Sequence, residues 1–124
     1  MGDIYFLGAT PKDPVGEWFL IHSMDSWIAI HACMQHLTDQ EIPFFPWMEA
    51  PSAASFAAFI RNVLDDGSFE ECAVDYAAQC YDEEWCRAED REPAEVYANA
   101  AEHWINQLQG FLRFLERSGG FMCD

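Results

Sequence analysis

The strongest constraint on this chain is the stretch from Pro93 to Gly120. Pro93 suits the first turn of a helix, where its missing N–H costs little. Glu92 and Glu95 put negative charge near the positive end of the helix dipole. Tyr97, Ala100, Trp104, Leu108, Phe111 and Leu115 recur at steps of three or four, so they share one face. Ala101, Ile105 and Leu112 widen that face into a broad stripe. Arg113 and Arg117 fall in the last turns, and Gly119-Gly120 can supply a left-handed stop. So wide an apolar face must be covered by other elements.

Shorter amphipathic segments supply that cover. After Ser23, a good N-cap, Trp27, Ile30, Met34 and Leu37 make one helical face. From Ser52 to about Asp66, Phe56, Phe59, Ile60, Val63 and Leu64 match an amphipathic helix, with Gly67 as its stop. Ser68 and Glu71 form a capping-box pattern. It opens a third helix whose inward face is read as Val74, Ala77, Ala78, Tyr81 and Trp85, ending in the Arg87–Glu92 run. Asp3–Gly8 reads as a strand. Glu17–His22 reads either as a second strand or as an apolar lead-in to the first helix. Phe121-Met122-Cys123 can add a short terminal strand. The expectation is a mainly α fold: single-domain four-helix packing around the long C-terminal helix, with short N-terminal strands and room for one more strand at the C-terminus. Residues 1–124 are read as a single acidic globular domain, a size that suits one core.

Charge narrows the function. There are 22 acidic residues against 6 basic ones, a formal net charge of -16. A nucleic-acid backbone or an anionic membrane would be repelled, whereas a basic protein would be attracted. No run approaches the roughly 20 apolar residues of a membrane span, and the N-terminus lacks a secretory pattern. A cytoplasmic location is expected. The five cysteines are odd in number, form no C-x-x-C, and are read as small buried hydrophobes rather than a disulfide framework.

Chemical motifs are scarce. Cys72 and Cys80 stand about 12 Å apart by helical rise, and His31 and His36 lie about 140° apart around a helix. Neither is a ligand pair, so no metal is expected. No Glu-x-x-His, Gly-x-Ser-x-Gly or glycine-rich phosphate loop occurs. No catalytic residue and no cofactor is assigned, and a non-enzyme is expected.

Two surfaces remain as candidates. The first is acidic. From Asp65 to Glu95 twelve acids face only Arg87 and Arg91. Glu70, Glu71, Asp75, Asp82, Glu83, Glu84, Glu89 and Asp90 are the expected partner-binding residues, presenting carboxylates at spacings comparable to duplex phosphates. Like charges so close cost stability, a cost more easily tolerated if something positive meets them. Solubility alone is the plainer account. The second is the aromatic loop Phe44-Phe45-Pro46-Trp47-Met48, with Phe44, Phe45 and Trp47 as secondary contacts if it is exposed, and a core plug if it is buried.

The ending from Trp104 through Leu108 and Phe111-Leu112-Arg113-Phe114-Leu115 to Gly119-Gly120-Phe121 resembles those of small, acidic, uncharacterised bacterial helical proteins. Inhibitors carried by phages and mobile elements, anti-CRISPR-like or nucleic-acid-mimicking, and immunity proteins that neutralise toxins are similar in size, charge and lack of motifs. That likeness implies a non-enzymatic inhibitor occupying a basic surface, on a nucleic-acid-binding protein or a toxin, and assigns no residue. The alternatives are an interaction module using loop 44–48, or a small enzyme with a pocket joining a Cys or His to a carboxylate.

Overall fold

The computed structural model describes residues 4–7, 18–21, 24–44, 47–118 and 120–123. Its backbone is organised on α5 (Pro93–Ser118), 26 residues long. Trp104, Leu108, Phe111 and Leu115 are buried along α5, as their spacing predicts. Phe114, which the predicted stripe omits, is buried as well. Its burial follows from a sheet that covers the end of the helix.

The helices α1 (Met24–His36), α2 (Ala50–Asp65) and α3 (Ser68–Cys80) pack against α5. α1 buries Trp27, Ile30 and Met34, and α2 buries Phe56, Ile60 and Val63. Four strands complete the fold: β1 (Ile4–Leu7), β2 (Trp18–Ile21), β3 (Trp47–Glu49) and β4 (Gly120–Cys123). They form one antiparallel sheet in the order β2-β1-β4-β3. The C-terminal strand therefore lies inside the sheet. It pairs Phe6 with Cys123 on one side and Trp47 with Met122 on the other. This placement brings Phe121 down onto the helices. Phe111 is the hub of the resulting cluster, with ring centroids 5.9 Å from Trp27, 6.0 Å from Phe56, 6.1 Å from Phe114 and 5.7 Å from Phe121. Most of these contacts are edge-on or tilted, the arrangement ring quadrupoles favour.

The mainly helical fold around a long C-terminal helix is as expected, and both N-terminal segments and the C-terminal one form strands. Several details differ. β3 occupies part of the segment read as an aromatic loop, because Trp47, Met48 and Glu49 find a ladder partner in β4, more than 70 residues away in sequence. α2 starts at Ala50, so Ser52 lies in its first turn rather than at the cap. Gly67, at φ 81, both stops α2 and occupies the N-cap position of α3. The capping box does not close: the Asp66 carboxylate accepts the Ser68 N–H at 2.8 Å, and the Ser68 hydroxyl turns back to the Val63 carbonyl. Hydrogen bonds from Ser68 hold the Asp66 carboxyl below its usual range. Gly120 begins β4 at φ 130, a conformation open to glycine. Ser23 and Gly119 lie outside the described residues.

The largest difference is a break in the third predicted helix. α3 ends at Cys80, and a separate α4 (Glu83–Ala88) follows. Asp82 causes the restart: its Oδ1 accepts the Trp85 N–H at 2.8 Å, an N-cap bond that the backbone of a continuous helix could not offer. α4 closes just as locally. The Arg91 N–H returns to the Cys86 carbonyl at 2.8 Å and the Asp90 N–H to Arg87 at 3.1 Å, a Schellman motif with Asp90 at φ 55 in the left-handed position.

Candidate functional site

The break rotates the faces of the acidic segment. α3 buries Phe69, Ala73 and Ala77, so its inward side is a different strip from the one predicted. Val74, Ala78 and Tyr81 are half-buried, and Trp85, expected inside, is 36% exposed. A continuous helix would have carried Trp85 inward in register with Ala77 and Tyr81. The turn at Asp82 swings it to the surface.

The acids themselves all reach solvent. Glu70, Glu71, Asp75, Asp82, Glu83, Glu84, Glu89 and Asp90 are exposed. Among the described residues none of the eight has a lysine or arginine partner, and the ion pair seen there is Arg61 with Glu116, between α2 and α5. Glu71 and Asp75, one turn apart, lie opposite the buried strip of α3. Glu70 is turned about 100° from Glu71, so α3 presents an acidic crest with a flank. α4 carries Glu83 and Glu84 in its first turn and Glu89 at its C-cap.

Beside α4 the helices leave a groove of about 680 Å³, which the sequence does not signal. α1 lines it with Asp25, Ser26 and Ile28, α3 with Tyr76 and Cys80, and α5 with His103 and Trp104. Tyr81, Trp85 and Arg91 complete the wall. The rings are organised: Tyr76 meets Trp104 edge-on at 5.7 Å, and Tyr81 leans on Trp85 at 4.8 Å. The large apolar side chains exposed among the described residues are Ile28 and Trp85, and both stand on this groove. At its floor Ser26 Oγ and His103 Nε2 are 3.3 Å apart, so the buried hydroxyl of Ser26 is satisfied by an exposed imidazole.

The aromatic loop behaves otherwise. The Phe44 ring is half-buried, edge-on to Trp27 at 6.4 Å and to His31 at 5.2 Å. The Phe44 carbonyl accepts the Trp27 indole N–H at 2.7 Å, and His31 Nε2 bonds the Ile42 carbonyl at 2.7 Å. Ile42 and Phe44 are thereby fastened to α1. The backbone of Trp47 is in β3, and Phe45 lies outside the described residues.

The cysteines do not share one environment. Cys33 and Cys86 are buried, Cys72 is half-buried and Cys80, the last residue of α3, is exposed. Cys33 of α1 and Cys72 of α3 meet across the helix interface, where the Cys72 thiol points at the Cys33 carbonyl at 3.9 Å. Burial, then the neighbouring Cys72, pushes the Cys33 thiol far above its ordinary value. Burial also raises Cys72. Thiols held protonated are poor nucleophiles and poor metal ligands. Among the described residues no three His, Cys, Asp or Glu side chains converge as a metal site would require, and no helix is long and apolar enough to cross a membrane.

No protein-family model, curated protein or solved structure matches the chain. The functional reading therefore rests on the arrangement of its own residues.

Proposed function

We propose that this protein is a non-enzymatic, acidic inhibitor or immunity-type binder that occupies a basic surface of another protein. The surface it covers would be one that normally holds nucleic acid, or that of a cationic toxin, in the manner of anti-CRISPR-like or nucleic-acid-mimicking proteins. The observation that carries the reading is the exposure of the eight carboxylates from Glu70 to Asp90 with no lysine or arginine partner among the described residues. A surface so charged raises the encounter rate with a cationic partner and repels nucleic acid and anionic lipid. The reading of loop 44–48 as the contact patch draws less support, since Phe44 is committed to Trp27 and His31.

The test is capture of partners from host lysate at low and high salt, followed by the variant D75K/E89K, which reverses two exposed charges and leaves the Asp82 cap of α4 in place. Screening shortens the reach of surface charge from about 30 Å at 0.01 M to about 3 Å at 1 M ionic strength. Capture should weaken steeply with salt and fail for the variant. Equal capture at both salt concentrations would overturn the proposal.

A further inference from the structure

We infer that the groove between α1, α3, α4 and α5 receives an arginine side chain of the basic partner, an inference that rests on the function proposed above. Two independent observations meet there. Ile28 and Trp85, the large apolar side chains left exposed among the described residues, both line it. Exposed apolar area gathered at one spot marks a contact surface. The second observation is charge. Asp25 is on the groove wall, and exposed Asp82, Glu83 and Glu84 belong to the same turn that presents Trp85.

An aromatic wall that carries the Asp25 carboxylate, with further acids one turn away along the chain, selects among cations. A guanidinium is planar and weakly hydrated, stacks on indole and phenol faces, and grips a carboxylate through two parallel N–H bonds. An ammonium is a compact, strongly hydrated point charge and gains less from the rings. The volume, about 680 Å³, lies inside the range of ordinary ligand clefts. Arg91 of this chain stands on the same wall and sets a like charge beside any guanidinium bound there. Removing that charge should therefore raise the affinity of the groove for a cation.

The probe is a capped tetra-arginine peptide, with capped tetra-lysine as its charge-matched control. Both are titrated into the whole protein by calorimetry and by the indole N–H resonance of Trp85, assigned with Trp85→Phe. Tetra-arginine should shift that resonance and bind severalfold tighter than tetra-lysine. Trp85→Ala should weaken it about fivefold, the upper end of the range for solvent-exposed cation–π contacts. Arg91→Ala should tighten it, and Ile28→Ser serves as a second groove variant should Trp85→Ala alter α4. Equal binding of the two peptides with an unmoved Trp85 resonance overturns the groove while leaving the acidic-face reading to its own salt test. Absence of any peptide binding at low salt also overturns the groove. Loss of salt dependence in partner capture, with the groove still preferring arginine, overturns the broader reading instead.

Discussion

Asp82 does two things that substitution can separate. Its carboxylate caps α4 through the Trp85 N–H, and its charge belongs to the acidic face. Asn caps a helix about as well as Asp, whereas Ala does not, and losing such a cap costs about 1 kcal/mol. Asp82→Ala should therefore lose about 1 kcal/mol, and Asp82→Asn only a few tenths. For a domain of 124 residues that corresponds to a fall in Tm of about 3–6 °C for the alanine variant. Locally it means about a fivefold increase in opening of α4, because 1.4 kcal/mol is a factor of ten. α4 is only six residues long, so the Cys86 amide, bonded to the Asp82 carbonyl at 3.0 Å, should lose hydrogen-exchange protection by that factor, while the Trp85 amide loses its acceptor outright. Charge shows up separately: both variants should weaken capture of the basic partner at low salt and converge with the parent at high salt. Urea melts, amide exchange and capture at two salt concentrations read all three quantities. If Asp82→Ala and Asp82→Asn melt together with the parent, the cap is not what restarts the helix, and the account of Trp85 exposure fails with it.

Two further outcomes follow from the core. Phe111, fully buried and in ring contact with Trp27, Phe56, Phe114 and Phe121, should cost about 3–5 kcal/mol when truncated to Ala, measured by urea denaturation. A loss below about 1 kcal/mol would mean the cluster is loosely packed. The Cys33 thiol should make stability fall with alkali. Its folded pKa is raised, so its contribution is complete below the ordinary value of 9.0 and is lost as pH rises through and above it, where the unfolded chain ionises first. Unfolding midpoints should drop between pH 8 and pH 10.5, less so in Cys33→Ala, and iodoacetamide should label Cys80 well before Cys33.

The elements that were legible in the sequence are those whose signal is local. Phe56, Ile60 and Val63, or Trp104, Leu108 and Phe111, announce their helix by spacing alone, and burial only ratifies it. β3 was not legible because nothing in Trp47-Met48-Glu49 says that β4 will arrive beside it; its reason for being a strand is at the other end of the chain. The α3–α4 break was written in the sequence but masked by a stronger pattern. Asp82 and the two glutamates after it are a proper helix start, yet the apolar period running from Ala77 through Tyr81 to Trp85 predicts a continuous helix that carries Trp85 inward. The exposure of the acids does not depend on that register, because carboxylates avoid the interior whichever way the helix turns. The groove was not legible at all, since it is made by residues from four helices that only packing brings together.

The acidic face must finally be judged residue by residue, since several of its members have local reasons to be acidic. Glu70 and Glu71 stand in the first turn of α3, and Glu83 and Glu84 in that of α4, where a negative charge interacts favourably with the helix dipole. Asp82 is a cap, and Asp90 holds a left-handed position that aspartate tolerates better than most residues. None of these six requires a partner to explain it. Asp75 and Glu89 are different. Asp75 lies in the middle of α3, one turn from Glu71 and on the same face, so the two repel. Glu89 caps the C-terminal end of α4, the negative end of the dipole. Both cost the free protein something and satisfy nothing within it, among the described residues. If the charge serves only solubility, any exposed position would have done, and these two are among the worst. Their placement is what a cationic partner would compensate, so Asp75 and Glu89 add to the exposed acidic face a cost that capping and helix dipoles do not explain.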